Sequence, residues 1–216
     1  MRRLPPHRFL KLDSTDLNFL SILVTDEEIK TALFDMAPLK APASDGFHAL
    51  FFQKQWDIIG TVVGNWVKKV FAGGNIDAKL NNTLIILIPK IQNPEDFCQF
   101  LPISQCTVLY KLVMKIIANR FKQIFLKIIT QEQVRFIAGK NIIDNIIIAQ
   151  EVIHSMKSSK SRKWMAIKID LKKAYDHVQW DFIDVSLQAA GIPDYFRNVL
   201  WNGVPTPKFK PVRGIR

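Results

Sequence analysis

Thr25 and three acidic residues, Asp26, Glu27 and Glu28, precede apolar Ile29, Ala32, Leu33 and Met36, a spacing that predicts a helix with a capped, acid-rich start. The run KAPASDGF at 40–47 interrupts the pattern with proline and glycine and reads as a loop. Beyond it, Leu50, Phe51, Ile58, Ile59, Val62, Val63, Trp66, Val67 and Val70 fall at helical spacing up to Gly73-Gly74, which predicts one further helix. The run TLIILIPK at 83–90 is short, β-branched and ended by proline, the composition of a strand.

The longest helical period covers 108–129, with Leu109, Leu112, Val113, Ile116, Phe121, Ile124, Phe125 and Ile128 apolar. At about 100° per residue, Lys111, Lys115 and Lys122 lie within about 40° of one another on that helix. Two readings stand for this line of lysines: a solvated face, or a stripe that tracks phosphates. A helix at 142–156 follows, then SMKSSKSRK, a basic segment without an apolar anchor that reads as a loop. WMAIKID at 164–170 predicts a strand, and a helix over 180–190 stops at Gly191-Ile192-Pro193. The tail WNGVPTPKFKPVRGIR receives no assignment. The order is α+β and mostly helical, with too few strands to close a sheet.

A chain of 216 residues with 48 % hydrophobic content can bury a core. Its 30 Lys plus Arg against 19 Asp plus Glu leave a net charge of +11, which favours a polyanionic partner: nucleic acid or an anionic membrane surface. No apolar run reaches the ~20 residues of a spanning helix, so no membrane partner is expected. The opening MRRLPPHRFLKLDSTD has no apolar segment followed by a small-residue cleavage site, and no secretory signal is expected. Cys98 and Cys106, without spaced histidines, fit neither zinc nor a disulfide framework. A reducing, intracellular setting is the expectation.

Asp170 ends the apolar run of AIKIDLKKAYDHVQW. A carboxylate at a strand end over an open cleft suits a hard divalent cation, which takes oxygen ligands. It can equally cap the next turn and pair with Lys172 or Lys173. Asp176 lies in the following turn, where an aspartate more often starts a helix.

Seven blocks carry a resemblance over nearly the whole chain: KAPASDGF, FFQKQWDIIG, LNNTLIILIPK, LPISQCTVLYKLVMKIIANRFK, QEQVRFIAGKNIIDNIIIAQE, IKIDLKKAYDHVQWDF and RGIR. In this order they resemble the reverse transcriptase of LINE-type, non-LTR retrotransposons, the plant kind in particular. The resemblance implies a right-hand polymerase fold, with a helical region at 1–80, fingers at 81–163 and a partial palm, its sheet incomplete, at 164–216. It also implies an RNA template, a DNA primer and a dNTP as partners, two magnesium ions as cofactor, and no stable protein partner.

By the same resemblance IKIDLKKAYD is the first palm motif. Asp170 would be the catalytic carboxylate and a ligand to both metal ions, with the Leu171 carbonyl as a further ligand. Tyr175 would exclude a 2′-hydroxyl by clash, and Lys173 and Ala174 would line the triphosphate path. Lys90 would approach the triphosphate, where a point cation offsets charge developing on pyrophosphate. Gln133 and Phe136 are candidates for contact with the template; a helix end and a core aromatic are the alternatives.

The sequence also departs from the family. Leu101 stands where an arginine usually precedes Pro-Ile-Ser, which removes bidentate charge-assisted bonds to a phosphate. Ala43 and Ser44 replace the usual Gly-Pro of the loop. FRNVLWNG joins two segments that the family keeps apart, so part of a palm helix and a strand is expected to be missing near 198–199. The Gln-Gly-Asp-Pro and Ala-Asp-Asp runs that bring the remaining metal carboxylates do not occur in these residues. The expectation is therefore a reverse transcriptase fragment that does not polymerise by itself; the alternative is a non-catalytic RNA- or DNA-binding remnant.

Overall fold

The computed structural model describes residues 12–77, 79–80, 82–128, 142–158, 165, 167, 178–203 and 210–211. By contact the chain divides into two compact units, Asp13–Gln123 with Ile192–Arg216, and Met1–Leu12 with Ile124–Gly191.

The larger unit begins with two capped helices. In α1, Ser14–Ser21, the Asp13 carboxylate accepts the Asp16 N–H at 2.8 Å. In α2, Asp26–Phe34, the Thr25 hydroxyl accepts the Glu28 N–H at 3.2 Å, and the three acids of its first turn face the positive end of the helix dipole. Both caps remove a backbone donor that the helix itself leaves unpaired.

The single helix expected from Leu50 to Val70 is two helices, α3, Ala49–Lys54, and α4, Trp56–Phe71, parted at Gln55 with φ −97° and ψ 12°. Gln53 supplies the reason. Its side-chain amide donates to the Leu33 and Met36 carbonyls at 3.0 and 3.1 Å, tying α3 to the end of α2. Meanwhile α4 turns to bury Val63, Val67 and Val70. Ile58 and Val62, expected in the same apolar stripe, are 76 % and 70 % exposed. They lie about 100–140° around α4 from Val63, outside its buried face. Gly64 lets α4 approach α2, since a Cβ there would stand 2.7 Å from Asp26 Oδ1, on the carboxylate that pairs with Lys68 at 2.6 Å. The core joins α2, α3, α4 and the start of α5, Val108–Ile128, through Ile29, Leu33, Phe52, Val63, Val67, Leu112 and Ile116. Burying each large aliphatic side chain stabilises by about 1.5–3 kcal/mol.

The strand expected at 83–90 is β1, Leu84–Pro89. It pairs antiparallel with β2, Phe100–Gln105, in the register Leu84↔Gln105 to Pro89↔Phe100, and parallel with β3, Lys210–Pro211. The order is β2-β1-β3, so Pro102 sits on an edge strand, where its missing N–H costs no ladder bond. Thr107 then starts α5: its hydroxyl donates to the Leu80 carbonyl at 2.6 Å and accepts the Tyr110 N–H at 3.3 Å. Burial, and secondarily the charge of Cys106, push the Tyr110 phenol up to about 12.

The most buried charged side chain among the described residues of this unit is Arg120, 4 % exposed on α5. Its guanidinium holds both Glu28 oxygens at 2.7 and 2.8 Å, and donates to the Leu20 and Ile22 carbonyls at 3.2 and 2.7 Å. The residues after Pro193 form α8, Asp194–Gly203, which includes 198–199 and the first three residues of the unassigned tail. Its Phe196 is fully buried and meets Phe121 edge-to-face at 5.2 Å. Tyr195 donates to the Leu20 carbonyl.

The smaller unit contains α6, Ile142–Ser158, and α7, Trp180–Ala189, both close to the expected helices. Gly191, at φ +85°, ends α7 in the left-handed conformation that a glycine adopts without strain. The expected basic loop beyond Ser158 and the strand at 164–170 lie outside the described residues, apart from Met165 and Ile167. The described elements are α+β and mostly helical, with a small sheet.

Two outcomes test these contacts. Arg120→Ala leaves Glu28 and two carbonyls without their shared donor and should destabilise by about 3 kcal/mol in urea unfolding, with Arg120→Lys in between; an unchanged midpoint would contradict the role given to the guanidinium. For Tyr110, the folded chain holds the proton more tightly than the unfolded chain. Its stabilisation is therefore complete below pH 10 and lost as pH rises from 10 towards 12. Tyr110→Phe should remove that part of the alkaline decline, which unfolding curves across the window would read directly.

Candidate nucleic-acid interface

Lys90 stands where β1 leaves the sheet. Its backbone N–H donates to the Gln99 carbonyl at 2.8 Å and its ammonium to the Cys98 carbonyl at 3.1 Å. The turn that carries Cys98 is fixed by Gln99, whose side-chain oxygen accepts the N–H groups of Glu95 and Asp96 at 2.6 and 3.2 Å. The Lys90 cation is thus exposed, and anchored by a neutral acceptor that an anion could replace. Leu101 lies opposite Ile88 in the ladder, the two 48 % and 43 % exposed. An apolar pair occupies the place where the resemblance expects a guanidinium.

On α5 the three lysines differ in setting. Lys111 and Lys115 are half-buried, and Lys122 is exposed. Lys111 donates to the Gln105 side-chain oxygen at 3.4 Å. Its pKa is lowered, first by burial and then by the charge of Lys40, while Cys106 and Asp45 act in the opposite sense. The loop 40–47 and the start of α5 therefore bring Lys40 and Lys111 within electrostatic reach, a pairing that helical spacing could not reveal. Along the axis the lysines span about 16 Å, at 1.5 Å per residue. Arg120 lies nine positions from Lys111, about 180° around the helix, so its ties to Glu28 turn the lysine line away from the core.

Lys90 and the three lysines are the predicted site residues that can be placed, and all four are in the larger unit. Asp170, Leu171, Lys173, Ala174, Tyr175, Gln133 and Phe136 lie outside the described residues. Among the described residues, no three His, Cys, Asp or Glu side chains group so as to hold a metal ion. No described helix is long and apolar enough to cross a membrane. The chemistry that the described site offers is cationic: ammonium groups on a hairpin end and along one helix, suited to phosphates.

Comparison with known proteins gives the chain a family. A model of the reverse transcriptase (RNA-dependent DNA polymerase) family matches residues 91–213, more than half of the chain. The chain is 26 % identical over 166 residues to the transposon TX1 uncharacterized 149 kDa protein of Xenopus laevis, a match that covers 77 % of this chain and 13 % of that protein. It is 23 % identical over 141 residues to the retrovirus-related Pol polyprotein from type-1 retrotransposable element R2 of Bradysia coprophila, covering 63 % of this chain and 16 % of the other. The chain thus spans a small part of the length of both relatives. With the family model covering the β1–β2 turn, β2, α5 and most of the chain beyond α5, the chain belongs to the reverse transcriptase (RNA-dependent DNA polymerase) family.

Proposed function

We propose that this chain is the fingers and the beginning of the palm of a LINE-type, non-LTR retrotransposon reverse transcriptase. In this reading 1–80 is a helical region ahead of the fingers, 81–163 the fingers and 164–216 the first part of the palm. The observation that carries it is the run from β1 through Lys90 and β2 into α5, which sets an exposed ammonium and a line of lysines on one continuous stretch, with β2 and α5 inside the family match and Lys90 directly before it. Both relatives bear the names of transposable elements, which supports the assignment to a retrotransposon.

Each residue then has a role. RNA template and DNA primer are held through phosphates by Lys111, Lys115 and Lys122, with Gln133 and Phe136 towards the template. Lys90 releases the Cys98 carbonyl to take a dNTP phosphate, exchanging a neutral acceptor for a charged one. Lys173 and Ala174 line the triphosphate path, and the Tyr175 ring blocks a 2′-hydroxyl. Divalent magnesium, when bound in such polymerases, activates the primer hydroxyl and stabilises the leaving pyrophosphate. Asp170 and the Leu171 carbonyl are this chain's contribution to holding it. In this reading Asp170 is one of several carboxylates that the two ions need.

Two measurements test the proposal. Primer extension on an RNA template should give no product with the 216-residue chain, and incorporation abolished by Asp170→Ala would refute that expectation. Binding of the same chain to single-stranded RNA should weaken steeply with salt. Replacing Lys111, Lys115 and Lys122 together by alanine should reduce the slope of log K against log salt by about 2, whereas an unchanged slope would remove the lysine line from the interface.

A further inference from the structure

Between the loop 40–47 and α3 lies an open recess of about 420 Å³, lined by Leu39, Gly46, Phe47, His48, Leu50, Phe51, Lys54 and Gln55. Phe47 and Phe51 are 46 % and 43 % exposed, with ring centroids 4.9 Å apart at 39°. Phe52, buried beneath them, meets both rings edge-on at 6.1 and 5.4 Å. Two large aromatic side chains left open to water on a buried third are costly as packing. We propose that this recess is a stacking platform for the bases of a single-stranded nucleic acid, a partner surface distinct from the lysine line of α5.

The platform is built before any ligand arrives. Asp45 accepts the Phe47 N–H at 3.2 Å, and Gly46, at φ +75°, turns the chain so that its N–H reaches the Ala43 carbonyl at 3.1 Å. The His48 ring nitrogen Nδ1 lies 3.0 Å from the Lys40 carbonyl, and the Leu50 N–H donates to the Pro38 carbonyl at 3.0 Å. A loop held by these bonds presents Phe47 with little ordering entropy left to lose on binding.

Charge selects the partner. Lys54 lines the recess, and Lys40, on the same loop, is close enough to Lys111 to lower its pKa. His48 and Gln55 add polar groups to a lining that is otherwise mostly apolar. An apolar helix from another protein would meet these cations at its rim, whereas a strand of nucleic acid brings flat bases for the rings and phosphates for the lysines. Stacking accepts any base, so the platform would bind without regard to sequence. The inference rests on the reading of this chain as a reverse transcriptase fragment, and it names a place where the strand is held.

The test is fluorescence anisotropy of labelled oligo(U) and oligo(A) with the 216-residue chain at low salt. Phe51→Leu keeps the apolar bulk and removes the ring; with an unchanged melting temperature it should weaken binding roughly tenfold and leave the salt slope as it was. Lys54→Ala should lower that slope by about 0.7. Ultraviolet crosslinking should join the oligonucleotide to the peptide that carries Phe47 and Phe51. Wild-type affinity in Phe51→Leu, alongside weakened binding in the triple lysine variant, would overturn the platform and spare the broader reading. No binding by the wild-type chain would overturn both. Displacement of an amphipathic helical peptide from the recess, with no competition by RNA, would give the surface to a protein partner and also defeat the proposal.

Discussion

One guanidinium fixes the arrangement of the larger unit. Arg120 cannot shed its charge, and at 4 % exposure water cannot fully solvate it, so its donors must be met largely from within. Glu28 meets two of the guanidinium's five donors from the first turn of α2, and the carbonyls of Leu20 and Ile22 meet two more as α1 ends. The Leu20 carbonyl also accepts from Tyr195 on α8, and the Phe71 ring of α4 stands 5.9 Å from the Arg120 guanidinium carbon. Five helices therefore converge on one cation. Without that convergence the ends of α1 and α2 would expose carbonyls and a carboxylate to an apolar interior, a state more costly than the pair is stabilising. The same contact sets the rotation of α5, and with it the direction in which Lys111, Lys115 and Lys122 point.

The parts of this fold that were legible in the sequence are those whose cause is local. Thr25 and the acids behind it cap α2, and the apolar period of α5 and the glycine stop of α7 need no distant partner to be read. The parts that were not legible depend on distant contacts. Gln55 breaks a helix because Gln53 is bound to carbonyls at the end of α2. Pro102 argues against a strand until β1 places β2 at the sheet edge. Helix α8 is anchored by Phe196 on Phe121, a ring 75 positions earlier in the chain. Arg120 and Glu28 are 92 residues apart, and nothing near either one announces the other.

The site divides in the same way. The lysines of α5 could be picked out from a helical spacing and Lys90 through the resemblance, and the structure adds what occupies them: a carbonyl for Lys90, a glutamine for Lys111. Asp170 and Tyr175 could be read only through the resemblance, because a strand-end aspartate has a capping explanation as good as a metallic one. Nothing in the sequence marked the rings of Phe47, within the loop 40–47, and Phe51, within an apolar helical period, as exposed side by side.

The basic surface is thus assembled from segments far apart in the chain, and its energetics show why that matters. Burial is the first cause that disfavours the charged form of Lys111, and the charge of Lys40 adds to it, while Cys106 and Asp45 act in the opposite sense. An ammonium held partly out of water gains more from an added anion than a fully solvated one does, so the cost that burial places on Lys111 is what a phosphate would offset. That local setting says more about this surface than the net charge of +11, which any basic protein could carry.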